Sequence, residues 1–375
     1  MHDVANAQAA QAVLSDAAAL LMTVRLLLGF LSLVSLARAA DTAVISPKVV
    51  VVTMFDPGGG TGSPPGELSF WVQREHLDRI IPLPAALHDV HANADGSVIA
   101  LLTDVGNTNA AAAVMALGLD PRFDLRQSYW LVAGIAGIDP ADGSLGCAVW
   151  ADYVVDGNLA HEVDAREIPA DWPTGYFPLG RNRPYELPRA TTDFATGNVF
   201  RLNPGLVRWA YELTRDTELA DSAKMRRRRA KYSGLPNARR PPFVLIGANL
   251  ASSTYWTGRL LNQWANAWVR YYTDDRANYV TTAMEDAGTL RALANLGRAG
   301  RVDANRALVL RTASDFDMPW SGTTAVDALK GDEDGLYPAY LPSLEAAYAV
   351  GSQVVHALTA DWNHCATVVP GADLK

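Results

Sequence analysis

"SVIALLTDVGNTNAAAAVMALG", Ser97 to Gly118, runs from an apolar stretch through a Gly/Asn/Thr turn into an alanine-rich segment. Val98 to Leu102 holds no polar residue, the pattern of a strand covered on both faces. The alanines predict a helix from about Asn109 to Leu117. Strand, glycine turn and helix make up the first half of a β-α-β unit, and the alternation continues in both directions. Upstream, "KVVVVTMF" (Lys48 to Phe55) reads as another buried strand, ending in the loop "DPGGGTGSPPGE". Downstream, "YWLVAGIAGID", "GCAVWADYVVDG", "PPFVLIGANL" and "RALVLRTAS" read as strands. Helices are expected over Leu206 to Thr214, in "YWTGRLLNQWANAWVRYY", from Thr282 to Leu296, and in "LPSLEAAYAVGSQVVHALTADW". Asp171 to Pro242, rich in Pro, Arg and aromatics, reads as long ordered loops around the first of these. Strands alternating with helices imply an α/β fold: three layers, α/β/α, with a central mixed, mostly parallel sheet. Ligands of such sheets sit at the carboxyl ends of strands. Asp56, Gly106 to Asn109, Gly134 to Gly137, Asn249 and Asp315 each follow a strand and should converge on one crevice.

The 375 residues are 49% hydrophobic and 19% charged, which excludes a disordered chain and provides for a large core. No long Gly/Ser or Pro-rich linker divides residues 40–375, so they read as a single domain. A net charge of -8 repels nucleic acid and anionic membranes. The run "MRRRRAKYSGLPNARR" (Met225 to Arg240) is the local exception; it reads as a solvated helix end and loop, with an anion-binding patch as the alternative. Residues 1–39 read as leader and secretory signal: Arg25 before the apolar Leu26 to Leu36, then Ala37-Arg38-Ala39 as a cleavage site, with Met22 as an alternative start. The expectation is an exported, periplasmic protein with no membrane span after signal removal. Cys147 and Cys365 either pair or remain buried thiols.

Four motifs carry a resemblance. "DVGNTNAAAAV", "LVAGIAGIDPADGSLGCAVWADYVVDGNLAHEVDAREIP", "AMEDAG" and "LRTASDFD" stand in the order and spacing of the nucleoside phosphorylase and nucleosidase superfamily, whose fold is called phosphorylase/hydrolase-like. Within it, "DAREIPADWPTGYFPLG", "YW" with "WANAWV", and "RTAS" with "FD" resemble the bacterial and fungal purine nucleoside permeases. The resemblance implies a purine nucleoside lying across the strand ends. Glu285 would take the ribose 2′ and 3′ hydroxyls, Met284 would pack under the sugar, and Asp315 would meet purine N7. It also implies a homo-oligomer. The chemistry independently calls for these residue types. A carboxylate accepts two hydroxyls side by side and favours a ribosyl group turning cationic, while an acid at N7 assists a leaving purine. Without the resemblance, Glu285 reads as a first-turn carboxylate and Asp315 as a cap or turn residue. Ser314 is expected to support the aspartate or the base. Tyr255 and Trp256 offer a face for the base or belong to the core. Asn249 stands where the superfamily has a Gly-Asp pair, here Gly247-Ala248-Asn249.

The nucleophile separates two enzyme classes. Phosphorylases of the superfamily carry an arginine before the Gly-x-Ala-Gly turn and a serine within it; this chain has Val132 and Ile135 there. That argues for water over phosphate, which remains the alternative co-substrate. A carboxylate in the loop after the first strand would orient the water: Asp56 first, Glu67 second. Gly106 and Asn107 at a helix start and Gly134 in the turn complete the expected binding set. "HEVDARE" (His161 to Glu167) lacks metal-ligand spacing, so no metal and no cofactor are expected. The reading is a purine nucleosidase, with a non-catalytic nucleoside-binding or transport component as the alternative.

Overall fold

The computed structural model describes residues 44–58, 64–187, 198–330 and 337–373. The leader and signal segment, and with it Met22, lies outside the described residues, as do Gly59 and Gly60. Ile45–Lys375 forms one compact unit.

The strands are β1 Val49–Thr53, β2 Arg79–Ile81, β3 Val90–Ala92, β4 Val98–Leu102, β5 Tyr129–Ile138, β6 Ala148–Asp156, β7 Ala160–Glu162, β8 Tyr176–Pro178, β9 Val199–Arg201, β10 Val244–Ala251, β11 Tyr279–Ala283 and β12 Ala307–Phe316. The main sheet runs β11-β10-β6-β12-β5-β1-β4-β3-β2, with β9 on β6; β7 and β8 form a separate hairpin. β1 is parallel to both β4 and β5, and β12 to β5, so the middle of the sheet is parallel. Val49 to Thr53 and Val98 to Leu102 are buried throughout, as their unbroken apolar runs predict. β11 also pairs with β5, antiparallel through Thr282 and Gly137, which closes β11-β10-β6-β12-β5 into a ring. Gly137 permits this: a Cβ there would come within 3.2 Å of the Thr282 methyl.

Helices cover the sheet in the expected α/β/α layering. Tyr340–Ala360 lies on β12, β5 and β1, and Pro204–Thr214 packs against it; Asn107–Leu119 and Asp286–Arg298 pack together, and Arg259–Thr273 lies on β10 and β11. Local signals set their ends. Gly106 takes φ 99° before the first alanine helix, a conformation a side chain disfavours. Asn203 accepts from Gly205 N and Leu206 N with Pro204 in the first turn.

One expected element is corrected. Tyr279–Ala283 is strand β11, not the start of a helix, and the helix runs Asp286–Arg298. Val280, Thr281 and Thr282 are β-branched, the first two buried and the third partly so, and such side chains fit the pleat. The middle segment holds a second helix, Ala223–Ala230, capped by Ser222. Its Arg229 is buried on Asp221 at 2.7 Å, while Arg228 and Lys231 lie over Trp320. Cys147 and Cys365 are both free and buried in different parts of the core.

Candidate active site

Three strand ends meet at a cavity of about 120 Å³. β5 contributes Ile135 to Gly137, β11 and its exit Thr282 to Glu285, and β12 Arg311, Ser314 and Asp315; Phe55, Glu67, Val105, Tyr255 and Tyr337 complete the wall. Ser314 is a bulge, since the register between β12 and β5 shifts between Ala313 and Asp315. Bulges re-aim side chains at functional sites, and here both Ser314 and the following carboxylate line the cavity.

Asp315 is held on two sides. Ser314 Oγ donates to one oxygen at 2.9 Å and the Tyr255 hydroxyl to the other at 2.7 Å. Burial raises its pKa to about 6, against the lowering effect of those two donors and of the Arg228 charge. Tyr255 stacks on Tyr337 with ring centroids 5.9 Å apart. Trp256 does not reach this cavity; it lines a larger one on the far side of Tyr255.

Glu285 sits at the start of the Asp286–Arg298 helix, 4% exposed. Its carboxylate accepts from Gly106 N at 3.2 Å, Met284 N at 3.2 Å and Arg311 Nη2 at 2.9 Å. Burial raises its pKa, with Arg311 opposing. Met284 lines the cavity beside it. Gly106 thus serves through its backbone. Asn107 takes no part in the lining: its Oδ1 accepts from Gly288 N at 2.8 Å and its N–H donates to Ser253, tying two helix starts to the β10 exit.

Arg311 was absent from the expected set. It is 1% exposed, donates to both oxygens of Asp286 and to Glu285, and reaches the Ile135 carbonyl at 3.1 Å. A lone arginine in the apolar run "ALVLRTA" is the signal that could have found it, since a buried guanidinium needs partners. Asp286, fully buried, also accepts from Asn249 Nδ2 at 2.5 Å. Asn249 therefore lies beneath the site, fixed between Asp286 and Thr281, and is not part of the cavity wall.

The loop carboxylate at the cavity is Glu67, not Asp56. Asp56 follows β1 directly, but its side chain turns to accept from Gly58 N and lines no part of the cavity. Eleven residues on, the chain returns so that Glu67 N donates to the Phe55 carbonyl, and the Glu67 carboxylate accepts from Met54 N, Phe55 N and Ile135 N at 2.7, 3.0 and 2.7 Å. Burial lifts its pKa to about 7, opposed by Arg311 and reinforced by Glu285. Gly134 makes room for this: a Cβ there would lie 2.5 Å from Glu67 Oε1 and 2.7 Å from Arg311 Nη1. Val132 is fully buried in β5. Among the described residues no cluster of three or more His, Cys, Asp or Glu could hold a metal ion, and no helix is long and apolar enough to cross a membrane.

A mixed sheet closing on itself at one end, with buried acids at the strand exits, defines the class: an α/β protein of the phosphorylase/nucleosidase fold. The same fold is seen in the 5′-methylthioadenosine/S-adenosylhomocysteine nucleosidase of Helicobacter pylori crystallised with butyl-thio-DADMe-Immucillin-A (TM-score 0.50, 12% identity, 82% of this chain and 99% of that one). Within this class the chain belongs to the purine nucleoside permease (NUP) family, whose model matches residues 46–369. It is 30% identical over 324 residues to a probable purine nucleoside permease of Schizosaccharomyces pombe (81% of this chain, 89% of that protein). To a purine nucleoside permease of Candida albicans it is 29% identical over 327 residues (86% and 77%).

Proposed function

We propose that the chain binds purine nucleosides at this cavity and cleaves the N-glycosidic bond with water. The observation that carries the choice of water is the state of Arg311. It is the cavity's cation among the described residues, and four of its five N–H donors are committed to Asp286, Glu285 and the Ile135 carbonyl. A phosphate dianion entering there would meet Glu67 and Glu285 with a single N–H of a guanidinium already neutralised by two carboxylates to bind it. A water molecule needs only an acceptor, and Glu67, poised near neutrality, is a suitable general base.

In this reading Glu285 accepts the ribose 2′ and 3′ hydroxyls and Met284 packs under the sugar. Asp315 gives its proton to N7 as the glycosidic bond breaks, and Glu67 takes a proton from the water attacking the anomeric carbon. Both electrons of the bond leave with the purine, which departs neutral because N7 has been protonated; water supplies the hydroxyl of the released ribose. Ser314 holds the Asp315 carboxylate in position.

The relatives' description as permeases favours a second reading, a nucleoside-binding component of a transport system that performs no chemistry. The test is chromatography of the protein incubated with adenosine, inosine and guanosine, with and without phosphate. Free base and ribose in both buffers is the expected result. Base appearing only with phosphate would overturn the choice of water. No base, with calorimetry still registering nucleoside binding, would establish the transport reading. Asp315→Asn separates the two as well: turnover should fall at least a hundredfold while nucleoside affinity changes little.

A further inference from the structure

We propose that the cavity beyond Tyr255 is a subsite for a bulky, uncharged substituent at the six-position of the purine, so that 6-substituted purine nucleosides are ligands of this chain. The inference rests on the reading above, in which Asp315 meets N7.

The cavity measures about 390 Å³, with Tyr176, Trp256, Trp264, Leu261, Val326 and Leu329 among its walls. It adjoins the smaller one through Tyr255, which lines both and whose hydroxyl rests on Asp315. N7 and the six-substituent lie on the same edge of a purine. A base presenting N7 to Asp315 therefore turns its six-substituent toward Tyr255 and the space behind it.

Size supports the connection. Sites for small molecules run from roughly 300 Å³ upward, and the cavity at Asp315 alone, about 120 Å³, falls short of that. The residue common to the two linings is Tyr255. Tyr255 is 41% exposed, its ring stacks on Tyr337 and its hydroxyl is hydrogen-bonded to Asp315 and Tyr337; rotation of this one side chain out of those contacts would join the two spaces.

Chemistry narrows the occupant. Among the described residues no lysine or arginine lines the larger cavity, and Glu162 stands at it with the Tyr176 hydroxyl donating to its carboxylate at 3.1 Å. Those features disfavour phosphate or any other anion. The aromatic and aliphatic walls suit a ring or a branched alkyl group. Trp256 and Trp264, 8% and 4% exposed, each have a buried indole N–H with no hydrogen-bond partner among the described residues. Buried donors left unsatisfied are costly, and an oxygen carried within the substituent would bring an acceptor to them.

The experiment is calorimetric titration of the full chain with adenosine and with N6-benzyladenosine. The benzyl compound should bind about tenfold tighter or more, the increment expected for burying an aromatic ring. Val326→Glu and Ala325→Trp, one charging the mouth and one filling the space, should each remove most of that gain while leaving adenosine affinity within about twofold and the melting temperature unchanged. Equal affinity for the two ligands, or a gain that survives both variants, would overturn the subsite and leave the purine reading standing. Failure of adenosine itself to bind would overturn both. A light-scattering mass twice that of one chain that Val326→Glu halves would also overturn the subsite, because a second copy would then occupy this face.

Discussion

Replacing Arg311 by methionine would leave Asp286 and Glu285 in a buried space with no cation between them. Removing one partner of a buried ion pair typically costs about 3 to 5 kcal/mol, because the remaining charge must protonate or stay unpaired. Arg311→Met is therefore expected to lose about that much stability in urea denaturation, and an unchanged midpoint would show that the carboxylates do not depend on it. Gly134→Ala tests the same cluster from the other side. The added methyl would press on Glu67 Oε1, Met54 Cε and Arg311 Nη1, each within 2.7 Å. Crowding of this kind costs roughly 1 to 3 kcal/mol. These two residues also show what was readable. Glu285, Met284, Ser314 and Asp315 stand beside the cavity and were identified from short motifs with a chemical rationale. Arg311 was not, because its function depends on partners distant in sequence. Asp56 was preferred to Glu67 because it comes first after the strand. The loop's return, which brings Glu67 N to the Phe55 carbonyl, has no local signature.

Two helix starts abut beneath the cavity, and their contact sets where Glu285 stands. Asn107 Oδ1 accepts from Gly288 N, Gly106 N donates to Glu285, and a Cβ on Gly288 would fall on the Asn107 carbonyl. Gly288→Ala must therefore separate the Asn107–Leu119 and Asp286–Arg298 helices. The expected outcome is a melting temperature lower by several degrees together with nucleoside affinity weakened through Glu285. If only the melting temperature moved, the helix contact would be structural without positioning the carboxylate. At this scale the long apolar segments are legible: β1, β4, β5 and β6 fall within the predicted strands, and β10 and β12 run past theirs by one and two residues, to Ala251 and Phe316. β11 was misread because its four β-branched and aromatic residues run straight into a helical stretch, with Met284 and Glu285 as the sole punctuation. β2, β3 and β9, three residues each, carry too little pattern to announce themselves. Their pairing is decided by the sheet edge they join.

Across the whole molecule, acids with raised pKa values gather at one end of the sheet. Burial raises Glu67 to about 7 and Asp315 to about 6, and it raises Glu285 and Asp317 as well. Asp317 lies just past Asp315, 1% exposed, with the Tyr279 hydroxyl and Asn262 donating to it. A carboxyl whose pKa is higher in the folded state binds its proton more tightly there than in the unfolded chain. Its contribution is fully present below the unfolded pKa, near 4, and is lost as pH rises through the folded value. The unliganded protein should therefore lose stability between about pH 4.5 and 7. Glu67 alone, raised from 4.5 to about 7, accounts for about 3 kcal/mol of that fall. Acids held low by arginine, such as Asp124 on Arg126, change stability only in more acidic solution, outside this window. Urea midpoints at pH 5 and pH 7.5 for the wild type and for Glu67→Gln give the check. The variant should show a visibly flatter dependence, because an amide does not titrate. An equal slope in both proteins would mean that Glu67 is ionised throughout the range, held so by its three backbone donors. It would then begin every turnover as the base, and no acidic limb in the rate profile would belong to it.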